Sequence, residues 1–351
     1  MYNCEHFITK CIKSCLNQKL DNYEIIVVND ASTDNGSKVV LKLANKNAKI
    51  KLVNHEKNRG LEIARRTGLS NANGKYVTFV DADDWLNKDV LSQHLRIAEE
   101  GVYDYVEFAT NRVITLFGRS VAKKNIPQIR IGKISQPELF NKYYISFFGV
   151  NFLSVNLCGK IFKRSNFTSE ILTPFGITMG EDLYLSMKLF PHLKKIYISD
   201  IVGYNYRYGG MTSHYNKNLY PDLKKLYYFK LTEVNNCLDK NAKYFADIEI
   251  KTVLFDEICQ QIRHKIPQEQ TISFISGEIL LPEWVDILKS WNKSPFTKAI
   301  ENKDPFLIYK ICKSEVRHKW YKEILGFIFN LINLKSATII QYTIKGRFMS
   351  R

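Results

Sequence analysis

The sequence predicts an α/β fold in which the strands of a mainly parallel sheet alternate with helices. Between residues 24 and 109, short apolar runs alternate with stretches whose apolar residues recur every three or four positions. Several runs are apolar at consecutive positions, which is typical of strands covered on both faces. Polar residues follow the runs, and open α/β sheets bind their ligands at such strand ends.

The elements follow one another in a regular order. A helix begins almost at residue 1, because apolar residues recur at helical spacing from Phe7 to Leu16. Beyond Pro221 the spacing is again helical, which predicts a helical C-terminal extension. Between them we predict strand 24–29, helix 37–47, strand 50–53, helix 61–71, strand 76–80, helix 88–100 and strand 103–109.

Composition limits the classes of protein that fit. The chain has 351 residues, 45% of them apolar, enough for one large domain with an appendage or for two domains. The net charge of +16 implies an anionic partner such as a nucleotide, an anionic lipid or nucleic acid. The seven cysteines form no CxxC pair, so we expect reduced thiols in a cytosol. No apolar run reaches about 18 residues, so no transmembrane helix is predicted.

Three aspartates stand directly after the predicted strand 76–80. Asp81, Asp83 and Asp84 cannot lie unpaired in a core, so they are expected where the strand reaches the surface. Close carboxylates at such a point favour a divalent cation and a phosphorylated ligand. For Asp84 the alternative is a cap on the helix near Lys88.

Other polar residues at strand-to-helix junctions are candidates for binding and catalysis. Asp30 follows the strand 24–29 and is suited to accept the imide N–H of a uracil base, while its neighbours are explained by helix capping. Arg65 lies one turn beyond Gly60, where it could reach a diphosphate or simply be a surface residue. Glu181 and Asp182 open a helical pattern, either as acids favoured at a helix N-terminus or as a general base.

Two segments are strongly basic. Residues 112–137 contain six Lys or Arg and no acid, which predicts either a mobile basic loop or a face that contacts anions. After Phe306 there are nine Lys or Arg against two Glu, interspersed with aromatic and aliphatic residues. This tail is expected either to lie on an anionic membrane surface as an amphipathic helix or to pack on its own domain.

The order of these motifs resembles that of the family 2 inverting glycosyltransferases, bacterial enzymes that typically build capsule, lipopolysaccharide or lipooligosaccharide. The resemblance is strong over residues 1–110, continues to about 208 and fades after about 220. It is carried by Tyr2-Asn3, the run 24–34, Asn58-Arg59-Gly60, Ala64-Arg65, Gly74-Lys75-Tyr76, Asp81-Ala82-Asp83-Asp84, the run 158–164, Gly180-Glu181-Asp182 and Tyr206-Arg207.

The resemblance implies the nucleotide-diphospho-sugar transferase (GT-A) fold and a metal-dependent, inverting reaction. Asp81 and Asp83 match the family's DXD motif, with Asp83 as the direct ligand of Mn²⁺ or Mg²⁺. Asp182 matches the catalytic base of the family's Glu-Asp pair. On this basis Asp182 deprotonates the acceptor hydroxyl, and the cation stabilises the departing diphosphate.

The remaining matches concern substrate binding. Asp30 corresponds to the position that contacts the nucleotide base, and Arg65 to a residue near the donor diphosphate. Tyr2, Asp81 and Glu181 are also expected to contact substrate. Family members place a strand of the type VSIIIP before the Tyr-Asn pair, whereas here Met1 stands directly before Tyr2. We therefore expect that Met1 is an internal methionine and that about ten residues precede it.

The predicted function is the transfer of a hexose or N-acetylhexosamine from a UDP-sugar to a glycan or lipid-linked glycan. Residues 1–220 would form the transferase domain, with a nucleotide-sugar half at 1–110 and an acceptor half at 137–220; residues 221–351 would form the helical, membrane-associating region. The expected location is cytoplasmic and peripheral on the inner face of the membrane, without a nucleic-acid partner. The alternatives are a non-catalytic sugar-nucleotide-binding remnant and a nucleotidyltransferase.

Overall fold

The computed structural model describes residues 1–116, 119–150, 153–209, 215–290 and 294–317. The chain divides into two compact units, one from Met1 to Val253 and one that begins at Leu254. The boundary predicted near residue 220 is a functional one, between the transferase domain and the helical region. It stays a prediction.

The first unit begins with a two-stranded parallel sheet and three helices. The two strands and the first two helices share a core that contains Ile12, Val27, Val40 and Ile50. The backbone of Met1 lies against the end of the first strand, where its carbonyl accepts the N–H of Asp30 at 2.9 Å. The elements are α1 (Glu5–Leu16), β1 (Ile25–Asn29), α2 (Gly36–Ala44), β2 (Ile50–Asn54) and α3 (Leu61–Asn71).

A larger sheet of seven strands follows in the chain. Its strands and the helices between them are β3 (Tyr76–Val77), β4 (Trp85–Leu86), α4 (Val90–Gly101), β5 (Tyr105–Leu116), β6 (Arg119–Asn125), β7 (Gly132–Ser135), α5 (Glu138–Tyr143), β8 (Lys160–Lys163), α6 (Glu181–Leu189) and β9 (Lys195–Arg207). Five strands lie in the order β3-β8-β5-β9-β4, while β6 pairs with β5 and β7 pairs with β9.

The prediction of a mainly parallel sheet is corrected by the strand pairing. Among the strand pairs of the described residues, β1–β2 and β5–β9 are parallel and five are antiparallel. The alternation of strand and helix correctly indicated the parallel pair at the start. It could not indicate that the short strands β3 and β4 pair with strands from much later in the chain, since pairing partners leave no local signal.

The basic segment 112–137 is mostly strand. The segment contains the end of β5 and the whole of β6 and β7. β5 and β6 form an antiparallel hairpin whose paired residues run from Thr110 and Asn125 to Leu116 and Arg119. The predicted mobile loop is therefore corrected. The β-branched residues Val113, Ile114 and Thr115 are the strand signal that charge counting obscured.

From Leu219 onwards the described elements are helical, which confirms the predicted helical extension. The first unit ends with α7 (Leu219–Glu233) and the start of α8 (Ala242–Arg263). The second unit buries Trp284, Cys259 and Cys312. It contains the rest of α8, α9 (Gln268–Phe274), a π-helical turn at Ile275–Ile279, α10 (Pro282–Lys289), α11 (Pro295–Glu301) and a helix over 305–317.

Most of the basic tail predicted to contact a membrane, residues 318–351, lies outside the described residues. Within the part that is described, none of the helices combines the length and hydropathy that a membrane span requires. All seven cysteines are free thiols.

Candidate active site

A buried arginine joins Asp81 to two adjacent carboxylates, Glu181 and Asp182, that lie about 100 residues further along the chain. The Arg65 guanidinium lies 3.1 Å from Asp81 Oδ1 through Nη2 and 2.5 Å from Glu181 Oε1 through Nη1. Nη1 also donates to Asp182 Oδ1. The predicted DXD aspartate, the predicted base and the predicted diphosphate-contacting arginine therefore form one cluster.

The backbone before α3 places Arg65 in this position. Gly60 has φ of 84°, in the region that favours glycine, and it immediately precedes the first helical residue. The Asp30 carboxylate accepts the N–H groups of Arg59 at 2.9 Å and of Gly60 at 2.8 Å. Asp30 thereby fixes the start of the helix that carries Arg65.

Asp30 itself lies outside the Arg65 cluster. Its Oδ1 also lies 2.7 Å from His55 Nδ1, and His55 Nε2 lies 2.9 Å from Thr67 Oγ1. The side chain of Asp30 is buried by these partners. Sequence analysis missed the pairing with His55, which follows β2 and carries no motif. The predicted contact of Asp30 with a nucleotide base stays a prediction.

Tyr2 is 48% exposed and lies beside the loop that follows β1. Its neighbour Asn3 accepts the N–H of Thr33 at 2.9 Å through Oδ1. Asp34 ties the same loop to α1, because its Oδ2 accepts the N–H of Glu5 at 2.7 Å. Tyr2 is thus near Asp30 in space, and its predicted contact with substrate is untested.

The Glu-Asp pair lies at the start of α6, preceded by Gly180. The loop before it is held from both sides by carboxylates that sequence analysis missed. Glu62 of α3 accepts the N–H groups of Phe175 at 2.7 Å and Gly176 at 3.0 Å. Asp222 of α7 accepts the N–H of Met179 at 2.9 Å. Lone acids on amphipathic helices carry no sequence signal for such backbone contacts.

Burial sets the protonation of the acidic pair. Desolvation raises the pKa of Glu181 to about 7, and the neighbouring Asp182 acts in the same direction, while Arg65 opposes it. Desolvation also raises the pKa of Asp182, again against the pull of Arg65. A carboxyl group whose pKa lies closer to neutrality is better suited to accept a proton at physiological pH.

Asp84 anchors the last strand of the sheet. Its Oδ2 accepts the Tyr204 hydroxyl at 2.6 Å, and its Oδ1 accepts the backbone N–H of Arg207 at 2.7 Å. Desolvation raises the pKa of Asp84 to about 7. The predicted alternative of a helix cap is corrected, since the residue before α4 is Asp89 and the partners of Asp84 belong to β9.

Asp83 points to a different arginine from Asp81. Its Oδ2 lies 2.8 Å from Arg207 Nη2, and the Arg207 guanidinium lies 3.9 Å from the centre of the Phe7 ring. The side chains of Asp81 and Asp83 are 29% and 23% exposed, so both carboxylates reach solvent. Each uses one oxygen for its arginine.

The donor set fits a hard divalent cation held with the help of a ligand. The described residues contain no group of three His, Cys, Asp or Glu side chains placed to bind a metal by themselves. Mg²⁺ is usually bound through one or two carboxylates plus substrate phosphates and water, and Asp81 and Asp83 supply two accessible carboxylates. The residues present therefore fit a cation that arrives with a diphosphate.

Comparison with solved structures identifies the fold. Residues 1–349 of TarS from S. aureus, solved with UDP, align with 91% of this chain and 90% of their own at TM-score 0.59 and 22% identity. The same TarS fragment, solved with UDP-GlcNAc, gives TM-score 0.59 and 20% identity over the same shares. At this identity the likeness shows the fold alone, and the fold is GT-A.

Sequence comparison identifies related glycosyltransferases. Residues 1–167 match the family model described as Glycosyl transferase family 2. Glycosyltransferase GlyA of Streptococcus pneumoniae is 30% identical over 215 residues, 59% of this chain and 29% of GlyA. Uncharacterized glycosyltransferase EpsJ of Bacillus subtilis is 40% identical over 106 residues, 30% of either chain. The matches thus span less than a third of these relatives.

Proposed function

We propose that this chain is an inverting glycosyltransferase that transfers a hexose or N-acetylhexosamine from a UDP-sugar to a sugar hydroxyl. The observation that carries the proposal is the cluster around Arg65, which brings Asp81 and Asp182 onto one guanidinium. We assign the chemistry to residues 1–220, with the donor bound by 1–110 and the acceptor by 137–220. The TarS complexes with UDP and UDP-GlcNAc support a UDP-sugar as donor.

In this proposal Asp182 is the general base. Its Oδ1 is held by Arg65, and its Oδ2 lies 3.4 Å from the N–H of Leu157, a contact long enough to be exchanged for an acceptor hydroxyl. The hydroxyl loses its proton to Asp182 as its oxygen attacks the anomeric carbon. The bond to the diphosphate breaks on the opposite face, so the configuration inverts without a covalent enzyme intermediate.

Arg65 and the two exposed aspartates form the donor side of the site. Arg65 is the buried cation nearest to Asp81, and it would contribute positive charge where the diphosphate lies. Asp83 and Asp81 would hold Mn²⁺ or Mg²⁺, which would supply charge neutralisation to the leaving diphosphate. Glu181 and Asp182 both pair with Arg65, and Glu181 would help to hold Asp182 in position beside the substrate.

The acceptor is proposed to be a surface polysaccharide, a lipooligosaccharide or a lipid-linked glycan, modified at the inner face of the cytoplasmic membrane. The named relatives are glycosyltransferases from bacteria, which is consistent with this class of acceptor. The donor sugar and the linkage depend on pocket contacts with a bound substrate.

The test is UDP release by the full chain from a panel of UDP-sugars, with and without Mn²⁺. For the sugar that gives release, Asp182→Asn is expected to lower turnover by about 10²–10⁴-fold, because the general base is lost. UDP affinity, measured by calorimetry, should change by less than about threefold. Asp21→Asn, at an exposed position, is the matched control and should behave as the unmodified chain.

The other outcomes decide against the proposal. UDP binding without release from any UDP-sugar would indicate a non-catalytic sugar-nucleotide-binding protein. Pyrophosphate release from UTP and a sugar phosphate would indicate a nucleotidyltransferase. If Asp83→Asn leaves the Mn²⁺-dependent part of UDP affinity unchanged, Asp83 is not a metal ligand.

A further inference from the structure

The β5–β6 hairpin presents cations that have no acidic partner among the residues described. Arg112, Lys123 and Lys124 are all exposed, and no ion pair joins them to an acid within the described ranges. Arg130, further along, differs because it lies 3.0 Å from Glu138. The hairpin is therefore a local source of positive potential on a chain that is already basic.

One face of the hairpin combines two of these cations, Arg112 and Lys123, with exposed aliphatic side chains, whereas Lys124 lies on the other face. Arg112 is paired directly with Lys123, and Ile114 directly with Val121. Residues paired in this way, and residues two apart on a strand, share a face. Ile114 is 41% exposed and Val121 is 54% exposed, whereas Val113 on the opposite face is buried. Two cations and two aliphatic residues thus form one exposed patch.

This arrangement is costly for the hairpin alone. Like charges placed directly opposite each other destabilise an antiparallel pair, as at Arg112 and Lys123. Lysines on an edge strand can protect it against pairing with another chain, and that would account for Lys123 and Lys124 on β6. It does not account for Arg112 on β5, nor for leaving Ile114 and Val121 exposed.

The patch continues the strands that border the candidate active site. Along the parallel pair β5–β9, Arg112 is opposite Tyr206 and Val113 is opposite Arg207. Arg207 binds Asp83, one of the two proposed metal ligands. Arg207 shares the face of Val113, so the patch lies on the same sheet as the donor side of the site but on its opposite face.

We propose that this face of the β5–β6 hairpin docks on the headgroups of an anionic membrane. Positive side chains attract anionic lipids, and exposed aliphatic residues between them gain by entering the boundary of the acyl chains. A soluble polyanion would satisfy Arg112 and Lys123 but would leave Ile114 and Val121 in water. The inference deepens the proposed function, on which its purpose rests, because the sheet that carries the site would then be held at the membrane that contains a lipid-linked acceptor.

The test is co-sedimentation of the full chain with vesicles of phosphatidylglycerol and phosphatidylcholine. The variant with Arg112→Gln and Lys123→Gln is expected to partition about 25-fold more weakly, at roughly fivefold for each cation removed. The control variant carries Lys42→Gln and Lys46→Gln, which removes the same charge from another exposed surface. The control should lose less than about threefold, and equal partitioning of the two variants would overturn the proposal.

A second pair of variants distinguishes lipid from a soluble polyanion. Ile114→Ser with Val121→Ser should weaken vesicle binding about tenfold and leave binding to inorganic polyphosphate unchanged. Leu41→Ser with Leu238→Ser, at two other exposed aliphatic positions, should change neither. If the Ile114 and Val121 changes have no effect on vesicles, the patch is not a lipid-docking surface.

These measurements need no sugar nucleotide, so they fail or succeed independently of the proposed transfer. UDP release from a soluble UDP-sugar should be equal in the unmodified chain and in the Arg112 and Lys123 variant. Loss of vesicle binding with retained UDP release supports docking by the hairpin. Retained vesicle binding by that variant would place any membrane contact elsewhere in the chain.

Discussion

At the scale of single residues, the site depends on one cation shared by three acids. Arg65 is buried, and its ion pairs with Asp81, Glu181 and Asp182 offset the cost of burying the guanidinium and the Glu181 and Asp182 carboxylates. Removing one partner from such a cluster leaves charges uncompensated, which costs more than the pairing itself contributes. The arrangement therefore makes Arg65 important for folding as well as for any ligand.

We predict that Arg65→Ala lowers the free energy of unfolding by about 3 kcal/mol at pH 8. Without the cation the pKa values of the buried acids rise further. The stability of the variant is therefore highest at low pH, where the acids are protonated, and falls as pH rises. The loss should therefore be smaller at pH 5 than at pH 8. Urea unfolding at the two pH values, followed by far-UV circular dichroism, measures the difference.

Two further variants test the cause of this loss. Arg96→Ala, at an exposed ion pair of α4, should change stability by less than about 0.5 kcal/mol. Adding Glu181→Gln and Asp182→Asn to Arg65→Ala should restore part of the stability at pH 8. A loss of less than 1 kcal/mol at pH 8 in Arg65→Ala would show that the cluster is not a stabilising one.

At the scale of elements, α6 brings the acidic pair to Arg65, and Gly180 determines how α6 begins. Gly180 has φ of 83°, and a Cβ atom there would lie 2.4 Å from Leu226 Cδ1 of α7. The loop before it is fixed by Glu62 and Asp222, so the backbone has little room to adjust. Strain and a steric clash therefore act on the same residue.

We predict that Gly180→Ala destabilises the chain by about 2–4 kcal/mol, from the left-handed backbone and the overlap with Leu226. Gly132→Ala is the matched control, because Gly132 has φ of 104° but no atom within 4 Å of the added methyl group. The control should lose only about 1 kcal/mol in thermal or urea unfolding. Equal losses at the two positions would contradict the proposed clash.

A double substitution separates the clash from the loss of packing. Leu226 is buried, so Leu226→Ala alone is expected to cost about 2–4 kcal/mol. If the overlap with Leu226 is the cause, Gly180→Ala should cost less in the Leu226→Ala background than in the unmodified chain. Additive losses would indicate that backbone strain alone acts at Gly180.

Most of the elements could be predicted from the sequence, because periodicity is a local property. The helix at Glu5–Leu16 and the strand at Ile25–Asn29 lie where the apolar spacing placed them. The long strand β5 was predicted only to Ala109, since Arg112 and its basic neighbours suggested a loop. The antiparallel pairing of β4 with β9 depends on residues 120 positions apart and leaves no local pattern.

The site could be predicted in part for the same reason. Arg65, Asp81 and Asp182 stand in motifs that follow strands or open helices, and the structure brings them together. Glu62 was missed because its sequence context resembles that of any surface acid in a helix, although it accepts distant backbone N–H groups. The tie between Asp84 and Tyr204 was missed because it, too, joins residues 120 positions apart.

At the scale of the whole molecule, buried acids determine how stability changes with pH. Burial raises the pKa of Asp84 and of Glu181 to about 7, above the ordinary values of 3.8 and 4.5 that apply in the unfolded chain. Between about pH 4 and 7 the folded protein therefore binds more protons than the unfolded one. The contribution of these two groups to the free energy of unfolding is complete below that range and is lost as pH rises through it.

We predict that the free energy of unfolding falls as pH rises from 5 to 7, by up to about 1.4 kcal/mol per pH unit for each of the two acids. Asp84→Asn should make the fall shallower, because one of the two titrating groups is gone. Asp21→Asn, at an exposed position, should leave the slope unchanged. Urea unfolding at half-unit steps of pH measures both, and an identical slope in Asp84→Asn would contradict the role of Asp84.

The position of β9 in the chain has a consequence for synthesis. β9 pairs with three other strands and supplies the partners of both Asp83 and Asp84, yet it is the last strand of the sheet to leave the ribosome. A nascent chain that has emerged only to residue 190 holds the complete acidic motif without the hydroxyl and the arginine that satisfy it. Any product terminated before β9 would therefore expose uncompensated aspartates and an open sheet edge, and it would be a substrate for chaperones and proteases.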